Sequence, residues 1–219
     1  MDTNASDSTV PRTAGPGRRR DPAIDARLRH AAREIYAREG WAGFHFDGVA
    51  RLAGVSKDAV YRRYPDAKAL LMDAISEQTM PVLAADMSIE PALIAYAVDI
   101  FTFFAGGSGN VNLRVHIDGE QYPGILQRYR EVVVEPQLRI AVDILERARR
   151  SGDVHPDTSP EAVIEALGGA VMMHALAAGP RLTDGGVADP DALRHLTALT
   201  QQILHGHLIA AARADSDLQ

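Results

Sequence analysis

Residues 41–71 read WAGFHFDGVARLAGVSKDAVYRRYPDAKALL. This stretch predicts two short helices around a tight turn, the first over residues 46–53 and the second over residues 57–64. Gly54 suits the left-handed backbone with which a chain leaves a helix sharply, because it has no Cβ. Ser56 is a favourable N-cap for the second helix. Two helices joined by a glycine-containing turn form a helix-turn-helix, whose second helix enters the major groove of DNA.

The second helix of this motif carries side chains suited to a polyanion. Val60 and Tyr64 are predicted to face a small core, which leaves the remaining side chains available to a partner. Lysine and arginine neutralise phosphates or read guanine, a tyrosine hydroxyl can donate to phosphate, and a small side chain can touch a thymine methyl group. The candidate DNA-contacting residues here are Ser56, Lys57, Asp58, Ala59, Tyr61, Arg62 and Arg63.

A third helix is predicted after Pro65, with Asp66 as its N-cap. Lys68 falls in its first turn, beside backbone amides that attract phosphate. A cation at this end of a helix works against the helix dipole, so its position favours an external anion. The alternative is an ordinary solvated lysine.

The motif agrees with one known family at several fixed spacings. Three segments of the motif together resemble the DNA-binding domain of the TetR (tetracycline repressor) family. They are the run of residues 49–56, the aromatic pair three residues apart and the lysine before two leucines. The resemblance covers roughly residues 22–72, about a third of the chain. The segments that carry it are Val49-Ala-x-x-Ala-Gly-Val-Ser56, Tyr61-x-x-Tyr64 and Lys68-x-Leu70-Leu71.

The resemblance implies a homodimeric transcription factor that binds double-stranded operator DNA and a small-molecule effector. It implies that residues 56–62 form the recognition helix, that Tyr61 and Lys68 contact phosphates, and that Tyr64 is mainly a packing residue. A repressor released by its effector is the expected mode, as is usual in the family. A transcriptional activator and a regulator without an effector remain open alternatives.

Three positions depart from the pattern of this family. His45 stands where the family usually has a threonine that caps the first helix of the motif and meets phosphate. Histidine is a poorer cap, although its ring nitrogens can still contact phosphate. Asp58 and Ala59 replace the more usual glycine–threonine pair, and an acidic residue there could accept from cytosine or repel phosphate. The operator sequence therefore cannot be transferred from relatives.

Charge and composition divide the chain at the end of this region. The chain has 219 residues and a net charge of −6. Residues 1–75 hold 13 basic and 10 acidic residues, whereas residues 76–219 hold 10 and 19. Residues 1–20 are rich in Ser, Thr, Pro and Gly, which predicts a flexible arm. Its three arginines, residues 18–20, could reach the minor groove, or the arm could simply aid solubility.

The remainder of the chain shows helical periodicity and no convincing strand. We expect an all-α protein with a three-helix helix-turn-helix domain over residues 21–72 and a bundle of five or six helices over residues 73–219. Long helices are expected near residues 125–151, 159–178 and 190–213. Two helices from each subunit should form a four-helix dimer interface, with ordinary intrachain core as the alternative. The apolar residues proposed for it are those of segment 166–176 and Leu193, Leu196, Leu199, Ile203 and Leu208.

An effector pocket is expected between the middle helices of this bundle, because ligand sites are largely apolar with a few polar groups. The candidates add aromatic or polar character to otherwise aliphatic helix faces, which suggests a lipophilic or aromatic effector. An aromatic stripe is more often core than pocket, so packing is the alternative for each. The candidates are Phe101, Phe104, His116, Tyr122, Tyr129 and Met173.

Other classes of protein find little support in the sequence. The chain has no cysteine, which excludes disulfides and thiolate metal sites. His205 and His207 are two residues apart and so cannot share a metal on a helix, and no catalytic motif is present. We expect no metal, no cofactor and no enzymatic activity. With no apolar run long enough to span a bilayer, a soluble, cytoplasmic protein without a membrane partner is expected. A helical adaptor with a vestigial helix-turn-helix is a further alternative.

Overall fold

The computed structural model describes residues 21–78, 80–178, 182–183 and 186–216, with side chains as far as residue 204. These residues form ten α-helices and one π-helical turn, and no strand beyond an isolated bridge between Leu182 and Ala188. The predicted all-α class is confirmed. The arm over residues 1–20, with its three arginines, lies outside the described residues, as do the side chains of His205, His207 and Leu208.

Three of the first four helices begin at a side-chain cap, and the caps at Ser56 and Asp66 are those that the sequence predicts. The Asp21 carboxylate accepts from the Ala23 amide at 3.0 Å, and Asp66 caps its helix by accepting from the Ala69 amide at 2.7 Å. The second helix of the motif is shorter than predicted and ends at Tyr61, because Pro65 follows and disfavours helical backbone at the residue before it. The four helices are α1 (Pro22–Glu39), α2 (Phe46–Ala53), α3 (Lys57–Tyr61) and α4 (Ala67–Ser76).

Six further helices follow in the described part of the chain, as expected. The segment predicted as one helix near residues 125–151 consists of α7, a π-helical turn (Arg130–Val134) and α8 in direct succession. Gly152, with φ of +86°, ends α8 in the left-handed conformation. The six helices are α5 (Ile89–Ala105), α6 (Asn110–Asp118), α7 (Pro123–Tyr129), α8 (Glu135–Ser151), α9 (Pro160–Ala178) and α10 (Pro190–Ser216).

Two apolar clusters hold the described helices together. The first joins α1–α4 to α6, α7 and the π-helical turn, and the second joins α5 and α8–α10. The helix-turn-helix therefore shares its core with the front of the following bundle. Helix α4 runs through residue 72, so the predicted domain division falls inside a helix.

Ion pairs fix α1 against α4. The Arg29 guanidinium lies 2.6 Å from Glu77 and 3.5 Å from Asp73. Arg33 donates to the Ala74 carbonyl at 2.8 Å and lies 3.3 Å from Glu77. These arginines hold the pKa of the Glu77 carboxyl below its usual range, chiefly through the hydrogen bond from Arg29. The second half of α4 and its C-terminal end are thus fixed to α1.

The turn between α1 and α2 is attached to the end of α6 through one carboxylate. Asp118, whose side chain is 11% exposed, accepts from the Trp41 amide at 2.7 Å and lies 3.4 Å from the Arg114 guanidinium. Gly40 precedes Trp41 with φ of +67°, and a Cβ at this position would overlap Arg114. Burial and the neighbouring Asp118 raise the pKa of the Tyr36 hydroxyl. Asp118 is therefore a direct contact between the bundle and the helix-turn-helix.

Among the described helices, none is by itself long and apolar enough to cross a membrane. Helices α5 and α6 reach the required composition only when taken together, and a bend of 76° separates them.

Candidate DNA-binding interface

The turn between α2 and α3 has the geometry of a helix-turn-helix. Gly54 adopts the left-handed conformation, with φ of +64° and ψ of +39°, and donates to the Arg51 carbonyl at 3.2 Å. The Val55 amide donates to the Ala50 carbonyl at 3.0 Å and so closes the end of α2. The Ser56 hydroxyl accepts from the Ala59 amide at 3.3 Å, which caps α3 as predicted. This turn sets the direction in which α3 leaves the motif.

Tyr61 is anchored by its ring and exposed at its hydroxyl end. Its ring packs edge-on against Phe46, with centroids 4.9 Å apart, while the residue as a whole stays 55% exposed. Neighbouring Tyr64 has the opposite orientation: it is buried and donates from its hydroxyl to the Asp73 carboxylate at 2.6 Å. The Tyr64 hydroxyl is thus held by Asp73, whereas the Tyr61 hydroxyl forms no hydrogen bond with the residues that the structure describes.

Most of the predicted DNA-contacting residues lie on the surface. Ala59 is one exception, because it is only 6% exposed and faces the core of the motif. The prediction that Ala59 is available to a thymine methyl group is therefore wrong. The cations Arg62 and Lys68 form no ion pair with any residue that the structure describes. The exposed members of the set are His45, Ser56, Lys57, Asp58, Tyr61, Arg62 and Lys68.

Arg63 was predicted to be available to a partner, and this is also incorrect. Its guanidinium lies 2.5 Å from the Asp25 carboxylate in α1 and donates to the Ala59 carbonyl at 3.1 Å. Both side chains of the ion pair are largely buried. Arg63 therefore fixes the end of α3 to α1, a contact across 38 residues of sequence that local pattern cannot reveal.

Asp47 is a residue of this surface that the sequence analysis missed. Its carboxylate lies 2.7 Å from the Lys57 ammonium group, which also lies 5.8 Å from the centroid of the Tyr61 ring. The hydrogen bond to Asp47 raises the pKa of Lys57. The ion pair links the first turn of α2 to the first residue of α3.

His45 occupies the N-cap position of α2 without capping it. Its side chain forms no hydrogen bond to the amides of the first turn. We expect His45→Ser to raise the free energy of unfolding by about 0.5–1 kcal/mol, because a serine hydroxyl can accept from one of those amides. Urea titration at fixed protein concentration measures the change, with His45→Ala as the non-capping control. Equal stability of the two variants would contradict the prediction.

Comparison with known proteins identifies the family. Residues 84–199 match the model described as tetracyclin repressor-like, C-terminal domain, and residues 28–75 match that of bacterial regulatory proteins, tetR family. The chain belongs to the TetR family. The resemblance seen at the helix-turn-helix is thereby confirmed, and this TetR-family chain is a helix-turn-helix transcriptional regulator rather than an enzyme.

Relatives of this TetR-family chain extend over most of its length. The uncharacterised transcriptional regulator YdeS from Bacillus subtilis is 23% identical over 79% of this chain and 88% of that protein. The solved structure of SCO4942 from Streptomyces coelicolor is 25% identical, covers 83% of this chain and 97% of its own, and has a TM-score of 0.57. FadR from Bacillus subtilis shares the fold alone: it is 14% identical, covers 83% of this chain and 98% of its own, and has a TM-score of 0.57.

The six candidate effector residues of this TetR-family chain do not line one site. Tyr122 and Tyr129 belong to the first apolar cluster, and the Tyr129 hydroxyl donates to Asn112 at 2.9 Å. His116 is exposed, with its ring 5.6 Å from that of Tyr129. Phe101 and Phe104 belong to the second cluster. Packing places these aromatic residues in two different cores, and their role in effector binding stays a prediction.

The sixth candidate, Met173, is 59% exposed on α9. Leu176, one turn further along, is 43% exposed, and nothing lies within 4 Å of a Cβ placed at Gly168 or Gly169. An open face on α9 with small and large apolar residues therefore remains without a partner in the described part of the chain.

The apolar residues predicted for an interface on α10 are mostly core. Leu196 is fully buried, and Leu199 and Ile203 pack against the second cluster. Leu193 stays 44% exposed. The intrachain alternative therefore applies to much of α10, because its apolar face is used by α5 and α9.

Proposed function

We propose that this TetR-family regulator binds a specific operator as a homodimer in the cytoplasm and represses transcription until a small lipophilic or aromatic molecule releases it. The observation that carries the proposal is the exposed surface formed by α3 and the start of α4. Arg62 and Lys68 on this surface form no ion pair with the described residues, and Tyr61 is half exposed. Cations and a hydroxyl held on fixed helices are suited to phosphate and base contacts.

The roles of these residues follow from their positions. Arg62, just beyond the last turn of the recognition helix, reads a base edge, as arginine does with guanine. Tyr61 donates to a phosphate from its exposed hydroxyl. Lys68 meets another phosphate at the α4 N-terminus, where backbone amides reinforce the attraction. His45, Ser56, Lys57 and Asp58 complete the contacted surface.

The open face of α9 supports the homodimer. Exposed methionine and leucine beside two glycines allow a helix of a second copy to approach closely and bury apolar area. A dimer must present its two recognition helices about 34–36 Å apart, or a multiple of that distance, to enter successive turns of the major groove. A homodimer therefore requires an operator with two related half-sites.

Release by an effector requires a contact between the bundle and the helix-turn-helix. Helix α4 passes from one to the other, and Asp118 on α6 holds the turn before α2. An effector that binds better to a conformation with displaced recognition helices shifts the population toward it. A coupling free energy of about 1–3 kcal/mol changes operator affinity by roughly 5–150-fold.

Two cavities lie where such an effector could act on α4. One of about 790 Å³ lies between α1, the end of α4 and the turn after α5, and one of about 520 Å³ lies beside it. Phe103 and Ser108 line both. Volumes of this order suit small ligands. FadR from Bacillus subtilis, which is similar in fold, was solved in complex with stearoyl-CoA, and the long acyl chain of that molecule supports an effector with an apolar part.

The test of this function is selection of duplexes from a random library by the purified full-length protein. We expect enrichment of one sequence with two related half-sites, bound by two chains in sedimentation experiments. The chosen duplex then serves to screen lipophilic molecules for release. A library that shows no enrichment, or one half-site bound by a single chain, would overturn the proposed operator and dimer.

The exposed Tyr61 hydroxyl gives a prediction for sequence-independent binding. Tyr61→Phe should weaken binding by about 1 kcal/mol per half-site on every duplex, because it removes one hydrogen bond to phosphate and keeps the ring contact with Phe46. Fluorescence anisotropy on selected and random duplexes measures the loss. Tyr64→Phe is the matched control: it breaks a buried hydrogen bond to Asp73, so it should lower stability without this uniform loss of affinity. A loss confined to the selected duplex would contradict the phosphate role.

A further inference from the structure

Lys57 differs from the other cations of the DNA-binding surface because a carboxylate holds it. Its ammonium group lies 2.7 Å and 3.0 Å from the two carboxylate oxygens of Asp47. Both side chains are more than half exposed, so the pair lies open to a partner. Arg62 and Lys68 have no such counterpart among the described residues. The first residue of the recognition helix is thus electrically neutralised where a polyanion would meet it.

This pairing has a consequence for sequence-independent affinity. A cation adds to that affinity by replacing the counterions of phosphate groups, and a lysine bound to a carboxylate does so only after the pair separates. Separation would also leave the Asp47 carboxylate facing the DNA backbone without its partner. Random duplexes should therefore gain little from Lys57.

The pairing also restricts what Lys57 can recognise. An ammonium group has three donors, and the two oxygens of Asp47 lie close enough to engage two of them, which leaves one for a partner. A donor held in one direction suits a single acceptor on a base edge, whereas a freely rotating lysine reaches any nearby phosphate. Sequence preference rises when such unspecific contacts are suppressed.

We infer that Asp47 is a positioning residue that directs Lys57 to one acceptor in the operator and suppresses its contacts with other DNA. This inference rests on the proposed function, because it concerns the same surface. Asp47 itself contacts no base and acts through Lys57.

A double-mutant cycle between Asp47 and Lys57 tests the inference. The full-length protein is titrated by anisotropy against a random-sequence duplex and against the selected operator, across salt concentrations. Asp47→Asn should raise affinity for the random duplex and add one phosphate contact per subunit. Because the dimer then makes two more phosphate contacts, raising the salt from about 50 to about 200 mM should weaken binding of this variant by a further factor of about 12 compared with the wild type. Lys57→Ala should abolish the gain in the Asp47→Asn background. By itself it should weaken binding to the random duplex, because it leaves the exposed Asp47 carboxylate unpaired beside the phosphates.

Asp58→Asn is the matched control for charge. Asp58 is exposed on the same helix and forms no ion pair with the described residues, so its removal deletes the same charge without releasing Lys57. We expect its effect to be the same with and without Lys57. Asp47→Glu keeps a carboxylate within reach of the lysine and should retain most of the preference for the operator.

The outcomes separate this inference from the function on which it rests. The inference is supported if the effects of the substitutions at positions 47 and 57 on DNA affinity are not additive, while those at positions 58 and 57 are additive. Equal effects of Asp47→Asn and Asp58→Asn, both additive with Lys57→Ala, overturn it while leaving the regulator function intact. A wild-type protein without salt-dependent binding to any duplex overturns the proposed function itself.

Discussion

Replacing Arg62 with alanine is expected to weaken binding of the dimer to its operator by about 2–6 kcal/mol, because each of its two half-sites loses about 1–3 kcal/mol. The side chain is exposed and forms no ion pair with the described residues, so its loss should leave folding unchanged. The loss should be largest at one base pair of each half-site, where the sequence preference relaxes. Anisotropy on the operator and on single-base variants of it measures both effects.

Arg147→Ala is the control for this substitution. Arg147 is also an exposed arginine without an ion pair in the described part of the chain, but it lies on α8 in the bundle. It should leave operator affinity and base preference unchanged. If Arg62→Ala weakened binding to every sequence equally, Arg62 would be a phosphate contact and the base-reading role would be wrong.

Asp118→Ala is expected to lower the free energy of unfolding by about 1–3 kcal/mol, because it leaves a partly buried amide and a guanidinium without their charged partner. The carboxylate is 11% exposed and accepts from the Trp41 amide, which belongs to the turn before α2. Urea titration measures the loss, with protein concentration held constant because dimerisation contributes to stability.

Two further variants make the Asp118 prediction specific. Asp118→Asn keeps an oxygen that can accept from the Trp41 amide and should cost less than the alanine variant. Glu120→Ala removes a nearby exposed carboxylate that forms no ion pair with the described residues and should change stability by less than about 0.5 kcal/mol. Similar losses in Asp118→Ala and Glu120→Ala would contradict the contact between α6 and the α1–α2 turn.

The sequence predicted local features of the fold because each depends on a few neighbouring residues. The predicted caps at Ser56 and Asp66 involve amides three residues away, and the structure contains both. Gly54, the glycine that ends α2, was predicted for the same reason. Helical periodicity likewise places the long helices of the bundle.

The features that were missed depend on contacts between distant parts of the chain. Arg63 binds Asp25 across 38 residues, and the Trp41 amide binds Asp118 across 77. Neither contact leaves a spacing that can be read in one sequence. Aromatic character alone also could not distinguish core from pocket, since Phe101 and Tyr129 are both buried in different clusters. The DNA-binding surface was easier to predict because its residues lie within one motif.

Salt-dependent binding of the purified protein to DNA fragments from around its own coding region tests the central claim most directly. Fluorescence anisotropy should give tight, saturable binding to one fragment, well above that to unrelated DNA and falling steeply with rising salt. Equal, weak and salt-sensitive binding to all fragments would place the operator elsewhere and call for the duplex selection. Absence of binding even at low salt would contradict the account, because the exposed surface of α3 and α4 would then have no DNA to contact.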